Sequence, residues 1–269
     1  LYCGGGQMQD YWGIGKATEP MLPMIAVPTT AGTGSETQSF ALISDAKNHT
    51  KMACGDKKAT CKLAILDPEL TLTQPTRVTA LTGIDALAHA LETYVTTKRT
   101  ELSMDYSRRA WELLSVNFIK VIDDPHDLEA RSAMQLGACL SGLAIENSML
   151  GAAHALANPL TAHFNIVHGQ AVASMLPHVI RFNAQSMESQ YGQLASATNA
   201  VSGDDSEALA TFITEITQHS GLATRLKPQG VNADQLPMLA ADAAQQWTAQ
   251  FNPRTVEAGD LLTLYQQAF

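Results

Sequence analysis

The chain has little of what several large classes of protein depend on. Aromatic residues make up only 6% of its 269 residues, and the 26 acidic residues outnumber the 17 lysines and arginines, for a net charge of −9. Surfaces that stack nucleic-acid bases are rich in aromatic residues, and surfaces that bind phosphates or anionic lipids are rich in basic ones. Neither nucleic acid nor a membrane is therefore an expected partner. No apolar run approaches the roughly 18 residues that a transmembrane helix needs.

Cysteine is also scarce. The four cysteines form no Cys-x-x-Cys pair, and so few thiols in a long chain are typical of a reduced, cytoplasmic protein rather than of a disulfide scaffold. The sequence contains no Gly-x-Ser-x-Gly elbow, no Walker loop and no cysteine-based zinc motif. Apolar residues, in contrast, reach 45%, which is enough for a large buried core.

The amino-acid composition and the spacing of apolar residues change near residue 75. Before this point the chain is rich in glycine, proline and threonine, and short apolar runs bounded by turn-forming residues predict strands at 24–27, 40–43 and 63–66, with a hairpin turn at 45–50. After it, apolar residues recur at helical spacing, which predicts helices at about 79–95, 101–122, 127–149, 169–183, 187–200, 206–219, 233–250 and 257–268. We therefore expect two domains, an α/β part over 1–75 and an all-helical part over 76–269, with a cleft between them.

Asp85 and His89 are the strongest local evidence for a functional site in the sequence. They are four residues apart, so on a helix they share one face, and they stand among apolar residues. A carboxylate on a buried face needs a partner. A metal ion bound by one oxygen and one nitrogen would satisfy both side chains, and an Asp–His hydrogen bond inside the core would do so as well.

A second cluster places His154, His163 and His168 within one window rich in alanine and leucine. Pro159 lies between them and is predicted to interrupt the helix, so that the flanking histidines fold back toward one point. A single histidine in an apolar stretch is usually a core residue, but three of them downstream of an Asp/His pair favour a metal site. Nitrogen and oxygen ligands without a thiolate suit Fe(II) or Zn(II).

The segment 29–36, Thr-Thr-Ala-Gly-Thr-Gly-Ser-Glu, follows the first predicted strand. Its hydroxyl groups and flexible glycines suit a ligand-binding loop, since α/β proteins bind ligands where strands end. The alternative is a turn whose side chains only cap its own backbone.

At these residues the sequence resembles the iron-containing (group III) alcohol dehydrogenase family. The matching stretches are spread along the chain in the family's order: 28–36, 64–70, 83–92 and 154–169. The resemblance implies part of an α/β dinucleotide-binding domain followed by an all-helical metal-binding domain, with metal and substrate in the cleft. It also implies that the divalent metal, iron or sometimes zinc, is bound by Asp85, His89, His154 and His168.

The resemblance further implies that the nicotinamide cofactor, NAD or NADP, lies along Thr29, Thr30, Thr33 and Leu42, and that Lys51 reaches its ribose. Two departures from the family pattern follow. The family's pyrophosphate loop would precede this region, so Gly4–Gly6 is similar to that loop in composition but does not correspond to it. The resemblance therefore implies that the cofactor domain is truncated. The family histidine that is implicated in proton relay is replaced by Asn158, so the relay passes to His163 or to water.

The function that follows from the resemblance is a metal-dependent oxidoreductase, in a homo-oligomer, that interconverts a small alcohol and an aldehyde or ketone with a nicotinamide cofactor. The alternative is a truncated, catalytically silent metal-binding helical protein. A metal-dependent hydrolase could use the same cluster, but the metal-binding face shows no general-base carboxylate beyond the ligand.

Overall fold

A computed structural model describes residues 4–44 and 51–269. The first part of the chain contains five short strands: β1 (Gly13–Ile14), β2 (Ile25–Ala26), β3 (Phe40–Ser44), β4 (Lys51–Gly55) and β5 (Leu63–Ala64). One small sheet has the order β1-β4-β3, in which β1 runs parallel and β3 antiparallel to β4. Strands β2 and β5 form a separate parallel pair, with Ile25 opposite Leu63.

Each of the three predicted apolar runs contains a strand, and two further strands were not predicted. Strand β1 is only two residues long, and β4 is a run of small residues in which Met52 and Cys54 are buried. Neither carries a strong pattern of its own, and each is defined by pairing with a partner strand. The hairpin turn predicted at 45–50 lies outside the described residues.

The rest of the described chain is helical. The helices are α1 (Thr76–Val95), α2 (Glu101–Asp123), α3 (Leu128–Glu146), α4 (Ala152–Phe164), α5 (His168–Ser196), α6 (Ser206–His219), α7 (Leu236–Ala244) and α8 (Ala258–Ala268). None of these helices is both long and apolar enough to cross a membrane. The expected fold class, a small partial α/β part followed by an all-helical part, is confirmed.

Helix α1 is the centre of the helical part. Nearly every residue from Thr79 to Val95 is buried, as expected of a helix that is apolar on all sides and is packed by neighbours all round. Helices α2, α3 and α5 pack against it, and α2 contributes Trp111 and Phe118, both fully buried. Functional side chains on α1 are therefore held by a rigid scaffold.

Several predicted helix boundaries are corrected by the structure. The two helices expected at 169–183 and 187–200 are confirmed: they share the range of α5 but meet at Met187, where the backbone is not helical and φ is −126°. The helix expected at 127–149 ends at Glu146, and of the segment 233–250 only Leu236–Ala244 is α-helical. Short 3-10 turns flank α7 on either side, a local geometry that apolar spacing does not distinguish from an α-helix.

The prediction that Pro159 interrupts the helix is wrong. Pro159 is buried inside the continuous helix α4, and the chain turns only at Asn165, a non-glycine residue in the left-handed region with φ of 53°. Helix α5 begins three residues later at His168. His154 and His168 thus approach each other because a helix-capping turn, not a proline, reverses the chain.

Gly169 allows α5 to approach α1 closely. A Cβ atom at this position would lie 2.1 Å from the carbonyl oxygen of Leu81, a backbone atom that cannot move aside alone. We expect Gly169→Ala to lower the free energy of unfolding by about 1–3 kcal/mol, the range for overpacking a core. Chemical denaturation measures this loss.

Gly259→Ala is the matched control, because Gly259 is also helical and a Cβ there meets nothing within 4 Å. Alanine is the better helix former by up to about 1 kcal/mol, so this variant should be neutral or slightly more stable. Equal stability of the two variants would contradict the close packing of α5 on α1.

Candidate metal centre and cofactor loop

Four side chains from three helices converge on one point. Asp85 and His89 lie one turn apart on α1, His154 lies in the first turn of α4, and His168 is the first residue of α5. The Nε2 atoms of the three histidines lie 3.6, 3.4 and 3.7 Å from Asp85 Oδ1, for His89, His154 and His168 respectively. The structure therefore brings together all four of the residues expected to bind a metal.

The imidazole rings stack around the carboxylate. The rings of His89 and His154 are 4.9 Å apart and nearly parallel, and those of His154 and His168 are 5.3 Å apart. One ligand atom from each of Asp85, His89 and His154 lies within 4.8 Å of the other two, and these three residues are buried. His168 is more open, with 25% of its side chain exposed.

The electrostatics of the cluster follow from burial and from these neighbours. Burial would raise the pKa of the Asp85 carboxyl, but the surrounding imidazoles, His89 foremost, hold it well below its usual range. Burial lowers the pKa of His89. For His154, burial acts in the same direction, but the carboxylates of Glu92 and Asp85 outweigh it and raise its pKa to about 9. A cation bound here would meet an ionised Asp85 and displace the proton of His154.

The residues fit a divalent ion. Asp85 Oδ1 and His154 Nε2 are buried and have no hydrogen-bond partner among the described residues, although both point into the cluster. Leaving such groups unpaired inside a protein is unfavourable. One carboxylate oxygen and three imidazole nitrogens form a donor set that suits Fe(II) or Zn(II).

Glu92 is a buried member of this region to which the sequence analysis gave no role. It lies on α1, three residues after His89, and its side chain accepts hydrogen bonds from His154 Nδ1 at 2.5 Å and from the backbone N–H of Ala153 at 2.7 Å. The spacing 85, 89 and 92 places all three side chains on one helix face, a signal that could have identified it. The expectation that this face carries no carboxylate beyond the ligand is therefore wrong.

The two candidates for proton transfer lie at different distances from the cluster. Asn158 is one turn after His154 on α4, and its side-chain amide donates to Gln246 Oε1 at 3.0 Å. His163 lies nine residues from His154, roughly 13 Å along a helix and on the opposite face. Its Nε2 atom is 2.6 Å from Asp242 Oδ2 near the surface. Proton relay through His163 or through water stays a prediction, and the distance of His163 from the cluster favours water next to Asn158.

The threonine loop packs against the helices that carry the cluster. Gly34 has φ of +59° and approaches Gly142 of α3 so closely that a Cβ would lie 2.6 Å from the Gly142 Cα. Gly32 packs closely on α1, where a Cβ at this glycine would lie 2.5 Å from the Cβ of Thr82, three residues before Asp85. The loop thus lies against the helix that carries Asp85 and His89.

The threonines expected to contact cofactor lie on the open side of this loop. Thr29 and Thr33 are exposed and Thr30 is half-buried. The Thr33 hydroxyl donates to Ser35 Oγ at 3.0 Å, and the carbonyl of Thr29 accepts from Gln74 Nε2 at 2.8 Å. The loop is therefore shaped by its own hydrogen bonds and still presents side chains to solvent.

Leu42 lies on β3 and is 55% exposed. It shares a strand face with Phe40, whose ring stacks on that of Trp247 at 5.8 Å. Trp247 follows α7, so this contact joins the sheet to the helical part of the chain. Lys51 begins β4, but its side chain lies outside the described part of the structure.

Comparison with known proteins identifies the family. A family model described as "Fe-containing alcohol dehydrogenase family, C-terminal" matches residues 79–269, and one described as "Iron-containing alcohol dehydrogenase" matches residues 1–68. The chain belongs to the iron-containing alcohol dehydrogenase family. The resemblance seen in the sequence is therefore confirmed.

Individual relatives agree with the family match. The chain is 32% identical over 269 residues to the "NAD-dependent methanol dehydrogenase" of Bacillus methanolicus, covering 98% of this chain and 71% of that protein. It is 36% identical over 249 residues to the "Probable alcohol dehydrogenase EutG" of Salmonella typhimurium, covering 93% of this chain and 63% of that protein. The crystal structure of a 1,3-propanediol oxidoreductase superposes with a TM-score of 0.93 at 30% identity, covering 98% and 71% of the two chains.

These relatives confirm the expected class, a nicotinamide-dependent alcohol dehydrogenase of the iron-containing type. The chain spans 63–71% of the length of the two sequence relatives. What the chain itself binds and catalyses is therefore taken up as a proposal.

Proposed function

We propose that this iron-type alcohol dehydrogenase chain binds one divalent ion through Asp85, His89, His154 and His168 and uses it to interconvert a small alcohol with its aldehyde or ketone. The observation that carries the proposal is the convergence of three imidazole Nε2 atoms within 3.7 Å of a buried carboxylate oxygen. A core hydrogen bond between Asp85 and His89 accounts less well for this arrangement, because their atoms are 3.6 Å apart and Asp85 Oδ1 lacks a hydrogen-bond partner in the described chain.

The ion, the nicotinamide and the side chains of the chain have separate roles in this reaction. When bound, the ion supplies Lewis acidity at the substrate oxygen, and the nicotinamide gives or takes the hydride. The chain positions these reactants and excludes water from one side, since Asp85, His89 and His154 are each at most 7% exposed. Asn158 is the nearest candidate to hydrogen-bond substrate or a relaying water.

The cofactor is proposed to lie along the open side of the threonine loop, against Thr29, Thr30, Thr33 and Leu42, with Lys51 at its ribose. Support comes from the close packing of this loop on α1 at Thr82, three residues before Asp85. Proton relay is proposed to pass through water next to Asn158 or through His163, and the distance of His163 from His154 favours water.

We place the domain boundary at about residue 75, where α1 begins, so that 1–75 belongs to the cofactor domain and 76–269 to the metal and substrate domain. Fe(II) is proposed as the resident ion, with Zn(II) as the second choice, and NAD or NADP as the cofactor. A cytoplasmic homo-oligomer is the proposed form of the protein.

The proposal is tested by metal analysis of the purified chain combined with aldehyde-dependent oxidation of NADH and, separately, NADPH. Short aldehydes are offered after reconstitution with Fe(II) or with Zn(II). We expect about one ion per chain and turnover that depends on its presence. One bound ion without cofactor binding or turnover would support the silent metal-binding protein instead, and absence of bound ion would refute both.

A further inference from the structure

The first turn of α4 begins without a capping side chain of its own. Its N-cap residue is Gly151, yet the first helical N–H groups are buried and need acceptors. The N–H of Ala152 donates to Asn252 Oδ1 at 3.2 Å, and the N–H of Ala153 donates to Glu92 Oε1 at 2.7 Å. Two side chains from distant segments therefore cap the helix that carries His154.

The second oxygen of Glu92 reaches the histidine itself. Glu92 is only 4% exposed, and its Oε2 lies 2.5 Å from His154 Nδ1. Because a carboxylate accepts hydrogen bonds and does not donate them, Nδ1 is the donor. A proton fixed on Nδ1 leaves the lone pair of the neutral imidazole on Nε2, the atom that faces Asp85 at 3.4 Å.

We propose that Glu92 is a positioning residue that fixes the tautomer and ring orientation of His154 for metal binding while anchoring the start of α4. This inference deepens the proposed function and rests on it. The physical basis is general: a metal-bound histidine is held by a carboxylate at its other nitrogen, and loss of such a partner weakens metal binding about 10- to 100-fold.

Glu92→Gln tests whether both acceptor oxygens of Glu92 are needed. Glutamine keeps the size of the side chain, but it has one accepting oxygen where glutamate has two. The N–H of Ala153 and the Nδ1–H of His154 both require an acceptor, so the variant can serve only one of them. If its amide group faces His154 as a donor, the histidine proton is driven to Nε2, where it opposes metal binding.

Two controls isolate the effect on the histidine. Asn252→Ala removes the other cap of α4, at Ala152, without touching His154. Glu188→Gln makes the same chemical change at another helix N-terminus, away from the proposed metal ligands. Glu188 of α5 accepts hydrogen bonds from the N–H of Ser206, the first residue of α6, at 2.9 Å and from the Ser206 hydroxyl at 2.6 Å. Both controls should lose some thermal stability and keep their metal affinity within about threefold.

The experiment is a competition titration of the full chain with Zn(II) against a chromophoric chelator, followed by absorption spectra of the Co(II)-loaded protein. We expect Glu92→Gln to weaken Zn(II) binding about 10- to 100-fold and to alter the Co(II) bands. Glu92→Asp, which keeps two acceptors on a shorter arm, should fall between the variant and the parent chain.

The outcomes distinguish this inference from the proposed function. A parent chain that binds no Zn(II) refutes the proposed function itself. A parent chain that binds, together with a Glu92→Gln variant of equal affinity and unchanged Co(II) spectrum, overturns the role of Glu92. If Glu92→Gln does not fold, Glu92→Asp decides: parental affinity and spectrum in that variant overturn the inference, and weakened binding with an altered spectrum supports it.

Discussion

Replacing His154 with alanine is expected to remove most of the bound metal and, with it, almost all alcohol oxidation. Among the three histidines, His154 has the Nε2 atom nearest to Asp85 Oδ1, at 3.4 Å, and it is the proposed ligand that contacts Glu92. A Lewis-acid ion is worth several kcal/mol in a transition state. At about 1.4 kcal/mol per tenfold change in rate, its loss lowers kcat by roughly 100- to 1,000-fold. Metal content after dialysis against a mild chelator is measured beside the rate.

His168→Ala should lower bound metal in the same way, whereas two other histidines serve as controls. His219 pairs with Asp123 on the surface, its Nε2 2.5 Å from Asp123 Oδ1, and His126 lies in the turn between α2 and α3. His219→Ala and His126→Ala should keep both metal and activity. Metal content that is equal in all four variants would refute the assignment of the ligands.

Asn158→His is expected to add a titratable proton relay to an enzyme that lacks one at this position. An amide does not titrate near neutrality, whereas imidazole has an ordinary pKa near 6.5. Alcohol oxidation needs the neutral base, so its rate should rise as the pH rises through about 6.5. Aldehyde reduction needs the protonated acid and should fall over the same range. General acid–base groups raise reaction rates by about 100-fold or more, so the added pH dependence should be clearly visible in a pH–rate profile.

The matched control for this prediction is His163→Ala. His163 lies on the opposite face of α4 and contacts Asp242, so its removal should leave the pH–rate profile unchanged. A profile that changes with His163→Ala but not with Asn158→His, with metal content equal in both, would place the relay at His163 after all.

The parts of the site that sequence alone predicts are those set by helix geometry. Asp85 and His89 share a face because a helix repeats every 3.6 residues, whatever surrounds it. Glu92 extends the same face and could have been recognised by the same rule. The extended helical stretches were likewise predicted to within a few residues, including the break at Met187, apart from α4, where an interrupted helix was expected, and the short extent of α7.

Two short strands were beyond prediction for a different reason. Strand β1 has two residues and β4 has mostly small ones, so neither has a hydrophobic pattern that would predict it. Strand β4 lies between the other two strands of its sheet: Cys54 is opposite Gly13 of β1, which is distant in sequence, and opposite Ala41 of β3. Pairing of this kind depends on the tertiary fold and leaves little local trace.

The sequence by itself determined the family, the change from strands to helices near residue 75, and the residue types of the candidate metal centre. Only the tertiary structure decided how those residues meet. His154 and His168 converge because the chain reverses at Asn165 and because Gly169 lets α5 pack closely on α1. Glu92 reaches His154 because α4 starts beside α1. Helical periodicity is a property of the backbone, whereas these contacts depend on the close packing of side chains from segments far apart in the chain.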